Sequence, residues 1–223
     1  MDLFNYMINN CYINFKGKVY RQHIGIPMGI DPAPFIANLF LHYFENKYIT
    51  SLIESGNIQE AKKLSGTFRY LDDLLGLNDE GFFDNIYNLI YPGELKLSRT
   101  DNEAKSAEYM DMNVDTEGAF FKSKLFDKRE NFSFKVINFP CMKYSNIPAT
   151  PSYGIFLSQL MRISRISTKL EDFQNSTEKL SREFLNKGFK KERLLVAFKT
   201  FLNKYHLDWC KLGMQPEIPT AIC

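Results

Sequence analysis

Phe68-Arg69-Tyr70-Leu71-Asp72-Asp73-Leu74-Leu75-Gly76-Leu77 places two adjacent aspartates between two short apolar runs. The runs Phe68 to Leu71 and Leu74 to Leu77 predict a tight β-hairpin with Asp72 and Asp73 between them. Asp is common at such turns because its carboxylate accepts from nearby backbone N–H groups, so the pair taken alone fits a purely structural turn. Two neighbouring carboxylates also repel, and burial would raise their pKa values; bound divalent cations reverse both effects. Hard oxygen ligands favour Mg²⁺, which keeps several waters and binds substrate phosphates. Two such ions, about 3.5–4 Å apart, would activate a hydroxyl nucleophile and stabilise a leaving pyrophosphate. Successive strand side chains point to opposite faces, which makes Asp72 the expected main ligand and Asp73 an auxiliary one.

Working outward, Val19 to Ile24 reads as a strand leading into Gly25-Ile26-Pro27-Met28-Gly29, and with Pro32 and Pro34 this cluster breaks regular structure. From Phe35 the pairs Phe35/Ile36, Leu39/Phe40 and Tyr43/Phe44 repeat at helical period, with Asn38, His42 and Glu45 on another face. Met1 to Tyr12 also has helical spacing, and Lys16-Gly17-Lys18 turns the chain. Residues 54 to 66 are polar, a surface helix or loop. Phe82 to Ile90 predicts a short helix ended by Tyr91-Pro92-Gly93. Glu94 to Ser98, Glu108 to Val114 and Ala119 to Phe126 read as strands, the last two joined through Asp115-Thr116-Glu117-Gly118.

After Phe139-Pro140 and Asn146-Ile147-Pro148 the pattern turns helical. Ile155 to Leu170 would point Phe156, Leu160, Ile163 and Leu170 inward and carry Arg162, Arg165 and Lys169 as one basic stripe. Helices at about 171 to 187 and 190 to 207 follow, with Gly188 between them as a C-terminal cap. The expected fold is α+β, with a boundary near residues 140 to 152 and a helical part beyond it.

Composition narrows the function classes. With 44% hydrophobic and 24% charged residues, the 223-residue chain is globular material with enough length for a sizeable core. No run of eighteen apolar residues exists and the first fifteen residues have no basic start, so the expectation is no membrane span, no signal peptide and an intracellular protein of the nucleus or cytoplasm. Cys11, Cys141, Cys210 and Cys223 form no CxxC pair, and His23, His42 and His206 stand isolated, which argues against a zinc ribbon, a disulfide scaffold or a zinc protease helix. The net charge of +2 conceals an asymmetry: residues 162 to 204 hold 11 Lys or Arg against 5 Asp or Glu, whereas residues 1 to 161 hold 16 against 19. A basic segment beyond an acid-bearing one suits a protein that holds a polyanion while a few carboxylates gather cations. A solvated helix face has the same charge pattern.

The ordered set Gly25-Ile26-Pro27-Met28-Gly29, Ala33-Pro34, Ala37-Asn38, Glu45 and Phe68-Arg69-Tyr70-Leu71-Asp72-Asp73 resembles reverse transcriptases of Penelope-like retroelements, relatives of telomerase. The resemblance continues through Ile90-Tyr91-Pro92, Glu108-Tyr109-Met110-Asp111 and Lys124-Leu125-Phe126-Asp127-Lys128-Arg129, and on through Ser145-Asn146-Ile147-Pro148-Ala149 and Tyr153-Gly154 to Arg162, covering roughly residues 1 to 207. It implies a partial right-hand palm, an antiparallel sheet with helices over residues 1–143, then a helical thumb over 144–207 and a tail over 208–223. The implied activity is RNA-directed DNA synthesis from deoxynucleoside triphosphates, with two Mg²⁺ ions at Asp72 and Asp73 and an RNA template paired to a DNA primer. Gly25, Pro27, Met28 and Gly29 would lie near the incoming nucleotide and template base, and Tyr70 beneath the primer terminus. Arg162, Arg165 and Lys169 would follow the backbone of the hybrid duplex, which proteins read by shape and phosphate. Lys96 or Arg99 falls where such polymerases often place a general acid, a solvated strand-edge charge being the other reading.

The chain also departs from that pattern. The family carries a further catalytic Asp on a strand well upstream of the glycine-proline loop, and only 24 residues precede Gly25 here, so that segment is expected to come from outside these residues as a partner. No Cys/His-rich or GIY-YIG-like endonuclease stretch follows the thumb-like helices. The alternative expectation is a noncatalytic nucleic-acid-binding remnant of a retroelement polymerase.

Overall fold

A computed structural model of the chain describes residues 2–77, 81–99, 106–116, 120–134, 136, 138–143, 145–213 and 215–223. The fold is mixed α+β, with small antiparallel sheets and eight α-helices among the described residues. It divides into two compact units, Met1–Ser98 and Arg99–Cys223. The division precedes the expected boundary because the strands beyond residue 105 bond into the helices that follow them.

In the first unit, α1 (Asp2–Asn9) precedes a hairpin of β1 (Tyr12–Phe15) and β2 (Lys18–Arg21). Tyr12, expected in the helix, belongs to a strand. Pro32 and Pro34 flank the start of α2 (Ala33–Glu54), where fixed proline φ angles and missing N–H groups cost nothing. Apolar residues surround this 22-residue helix: Ala33, Ile36 and Leu52 are buried, while Phe35, Leu39 and Tyr43 form an exposed stripe at four-residue spacing. α3 (Ile58–Leu64) follows, then β3 (Thr67–Tyr70) paired with β4 (Asp73–Gly76), then α4 (Phe82–Ile90). Leu52, Leu64, Phe83, Ile86 and Ile90 make the core of this unit. Glu94 to Ser98, expected as a strand, has no ladder partner and runs as irregular chain.

The second unit joins a three-stranded sheet to a helical bundle. Glu108 to Val114, expected as one strand, is a hairpin: β5 (Ser106–Tyr109) and β6 (Met112–Asp115) meet at Met110-Asp111. β6 pairs with β7 (Lys122–Leu125), as expected of a hairpin; residues 117 to 119 of the connection lie outside the described residues. α5 (Ala149–Ile166) stops four residues before the expected end. The Ser123 hydroxyl donates to the Ile166 carbonyl at 2.5 Å, and Thr168 exchanges hydrogen bonds with the Ser123 backbone, pulling Ser167 to Lys169 into extended chain along β7.

α6 (Leu170–Asn186) and α7 (Lys191–Lys204) complete the bundle. Gly188 ends α6 as expected: at φ +86° its N–H bonds the Leu185 carbonyl while Phe189 N–H bonds Phe184, a Schellman closure with the two phenyl rings 4.6 Å apart. Phe156, Phe173, Phe184, Phe198 and Phe201 are completely buried together with Leu160 and Leu194. Of the stretch expected as a tail, 208–223, Trp209, Leu212, Ile218 and Ile222 pack onto this core. Trp209, at the end of α8 (His206–Trp209), donates its indole N–H to the Leu202 carbonyl at 3.0 Å, and Ile222 is fully buried. No helix among the described residues is long and apolar enough to cross a membrane.

Candidate functional site

The hairpin that carries the paired acids turns one residue earlier than the apolar runs suggest. Tyr70 pairs with Asp73, so the two-residue loop is Leu71-Asp72, and Asp73 is the first residue of β4. Leu71 has φ +53° and Asp72 does not share the left-handed region, the sign pattern of a type II′ turn, whose twist matches a hairpin. Glycine is the usual residue at that first position, and a branched side chain there is held at a cost of order 1–3 kcal/mol by its surroundings.

Those surroundings centre on Arg69. Its guanidinium clasps both oxygens of Glu45, with Nε to Oε1 at 2.6 Å and Nη2 to Oε2 at 3.3 Å. Nη1 donates to Asn38 Oδ1 at 2.7 Å and, at 3.4 Å, to the Leu71 carbonyl of the turn itself. Tyr91, just beyond α4, donates its hydroxyl proton to Glu45 Oε1 at 2.6 Å. Arg69 is only 15% exposed, so this pair is largely withdrawn from water. Burial first, and then the hydrogen bond and charge of Glu45, push the Tyr91 phenol well above its ordinary range, with Arg69 opposing them. The tyrosine remains a proton donor to Glu45 at any working pH.

The acids held by this frame are open. Asp72, Asp73 and Tyr70 are exposed, and among the described residues nothing hydrogen-bonds or pairs with either carboxylate. Their full complement of hard oxygen donors therefore faces outward, which fits Mg²⁺ held by one or two carboxylates plus water and phosphate. No group of three or more His, Cys, Asp or Glu side chains converges among the described residues.

In the glycine-proline loop, Gly25 and Gly29 sit at φ +87° and +91°, Pro27 is buried, and Met28 is 98% exposed. A Cβ on Gly29 would touch nothing within 4 Å, so backbone conformation and not crowding selects glycine there. No hydrogen bond or ion pair joins Gly25–Gly29 to the hairpin among the described residues. Lys96 is exposed on the irregular segment after α4, and Arg99, also exposed, begins the second unit.

The basic stripe is rearranged. Arg162 and Arg165 project from α5, but Lys169 lies beyond its end, in the extended residue that precedes α6. Arg162 donates to Asp111 at 2.6 Å and Arg165 to Asp208 at 2.9 Å. Beside Asp111 lies a cleft of about 430 Å³ lined by Asp127, Arg129, Lys179 and Glu183. Its charges compensate within its own walls: Arg129 bonds Asp127 at 2.7 Å and Glu183 at 3.2 Å, and Lys179 bonds Glu130.

The roles of Asn38, Glu45, Arg69 and Tyr91 are what reading residue types along the chain misses. Asn38 and Glu45 sit seven apart in α2, hence on one face, and that was the available signal. No protein family, curated protein or solved structure matches the chain.

Proposed function

We propose that this chain is the palm-and-thumb part of an RNA-directed DNA polymerase of the kind found in Penelope-like retroelements, extending a primer 3′-hydroxyl on an RNA template. The observation that carries this reading is the Tyr70-Leu71-Asp72-Asp73 turn: two unpartnered carboxylates presented by a hairpin whose preceding arginine is locked onto a helix. Asp72 and Asp73 would hold Mg²⁺, which supplies charge neutralisation at phosphate oxygens and acidification of the attacking hydroxyl. The exposed Tyr70 ring gives the primer terminus a surface to rest on. Gly25 and Gly29 bare the backbone of their loop, and Met28 offers an apolar contact to a base.

On α5, Arg162 and Arg165 are paired with carboxylates but remain partly in solvent, where such pairs are worth about 0–1 kcal/mol. A phosphodiester can therefore draw either guanidinium away from Asp111 or Asp208. Lys169, on its own extended segment, adds a third cation.

A second reading is favoured by the small number of acids at the turn: with two carboxylates and no converging third among the described residues, the chain binds a hybrid duplex without extending it. Primer extension with a DNA oligonucleotide on an RNA template, Mg²⁺ and deoxynucleoside triphosphates separates the two. Extension by the wild-type chain that Asp72→Asn abolishes supports polymerase chemistry. Hybrid binding without extension supports the second reading, and loss of both binding and extension overturns each.

A further inference from the structure

We propose that Glu45, Asn38 and Tyr91 are positioning residues that act through Arg69 to fix how the two-carboxylate turn presents Asp72 and Asp73. The inference rests on the metal-binding reading of those aspartates.

Three parts of the first unit meet around the Arg69–Glu45 pair, with Tyr91 bonding its carboxylate. Asn38 and Glu45 come from α2, Tyr91 from the end of α4, and Arg69 from the strand that enters the turn. All three guanidinium nitrogens are engaged, so the side chain has a single orientation. Nη1, which donates to both Asn38 and the Leu71 carbonyl, ties that orientation to the one residue of the turn held at left-handed φ.

Stability alone does not account for this expenditure. A withdrawn ion pair gives little net stability compared with apolar residues of similar volume, and what such pairs supply in well-attested cases is a fixed geometry. Here the fixed object is a turn whose acid, Asp72, is exposed and has no hydrogen-bond or ion-pair partner among the described residues. Leu71 cannot relax to a commoner conformation without breaking the contact beneath it, and the carboxylate of Asp72 is carried by the next residue. This is the relation of an outer support to metal ligands, where loss of the support typically lowers metal affinity about 10–100-fold while leaving the ligands in place.

The test uses Mn²⁺ as the probe, with binding to the full chain followed by loss of the free-ion paramagnetic resonance signal and melting followed in parallel. The variants are Asp72→Asn, Glu45→Gln, Arg69→Lys and Tyr91→Phe. Expected are loss of the site in Asp72→Asn and an affinity lowered about tenfold in Glu45→Gln and Arg69→Lys, measured well below their melting temperatures. Arg69→Lys keeps the charge and loses the fork, so a mere need for positive charge would leave it equal to wild type. Tyr91→Phe removes one hydroxyl from the frame and weakens Mn²⁺ binding by a smaller factor; it decides the matter should Glu45→Gln fail to fold. Wild-type affinity in folded Arg69→Lys and Tyr91→Phe, with Asp72→Asn defective, overturns the positioning role and leaves the metal reading standing. Mn²⁺ binding that Asp72→Asn does not reduce removes the metal reading itself.

Discussion

Tyr70-Leu71-Asp72-Asp73 in the first unit and Tyr109-Met110-Asp111-Met112 in the second turn on the same backbone device, with Leu71 at φ +53° and Met110 at φ +54° ahead of an aspartate. Their side chains are disposed in opposite ways. In the second, Tyr109 is buried and Asp111 is closed off by Arg162. In the first, Tyr70 is exposed, the acid is open, and the arginine bonds the residues around the turn instead of its carboxylate. One local geometry therefore has two outcomes: where an arginine reaches the acid the turn is a brace, and where the arginine stops at the backbone the acid is left open. The scaffolds differ to match, since the open turn stands over a core of five buried side chains and the closed one over a bundle with five completely buried phenylalanines.

The largest effect available to sharpen that contrast lies in the second scaffold. Phe184 touches the rings of Phe139, Phe156 and Phe189 and is completely buried, so Phe184→Ala should cost about 3–5 kcal/mol in urea denaturation followed by circular dichroism. A loss below about 1 kcal/mol would mean that the bundle does not hold its braced turn as described.

A smaller effect follows from the braced side being held by paired charges. Burial alone would raise the Asp127 carboxyl, but the hydrogen bonds from the Arg129 side chain and N–H, with the charges of Arg129 and Lys179, outweigh it and hold the group below its ordinary value of 3.8. A depressed folded-state pKa contributes stability that is complete above the unfolded value and disappears as pH falls through the folded one. Urea midpoints should therefore drop for the wild type below about pH 4, with a flatter acid limb for Asp127→Asn. Identical acid limbs would show that this pairing contributes nothing.

The smallest expected effect concerns the clasp that closes the second turn. Arg162 and Asp111 are 43% and 37% exposed, and a double-mutant cycle should give a coupling below about 1 kcal/mol. A coupling of several kcal/mol would make the brace a major structural element and break the view that a phosphate could displace it.

Much of this architecture was legible along the chain, and the exceptions share a cause. α4 begins and ends where expected because Tyr91-Pro92 stops it locally, and Gly188 announces its cap because only glycine takes that φ cheaply. Glu108 to Val114 reads as one strand because nothing in the propensity of Met110 foretells a left-handed conformation. The end of α5 is set by Ser123 and Thr168, 45 residues apart, and periodicity carries no trace of such a bond. The acids of the candidate site are visible in the sequence as a pair, whereas the frame beneath them joins residues 24, 31 and 46 positions apart. Which polar side chains will find one another over such distances is decided by packing.

Trp209 is the chain's single tryptophan, and it lies in the second unit with its indole bonded to Leu202. Intrinsic emission excited at the red edge of the ultraviolet band thus watches one half of the polypeptide and is blind to the half that carries the presented acids. A heating curve in which ellipticity falls before emission shifts would mark melting of the first unit by itself. A tryptophan introduced on the exposed face of α2 would be required to watch that half directly.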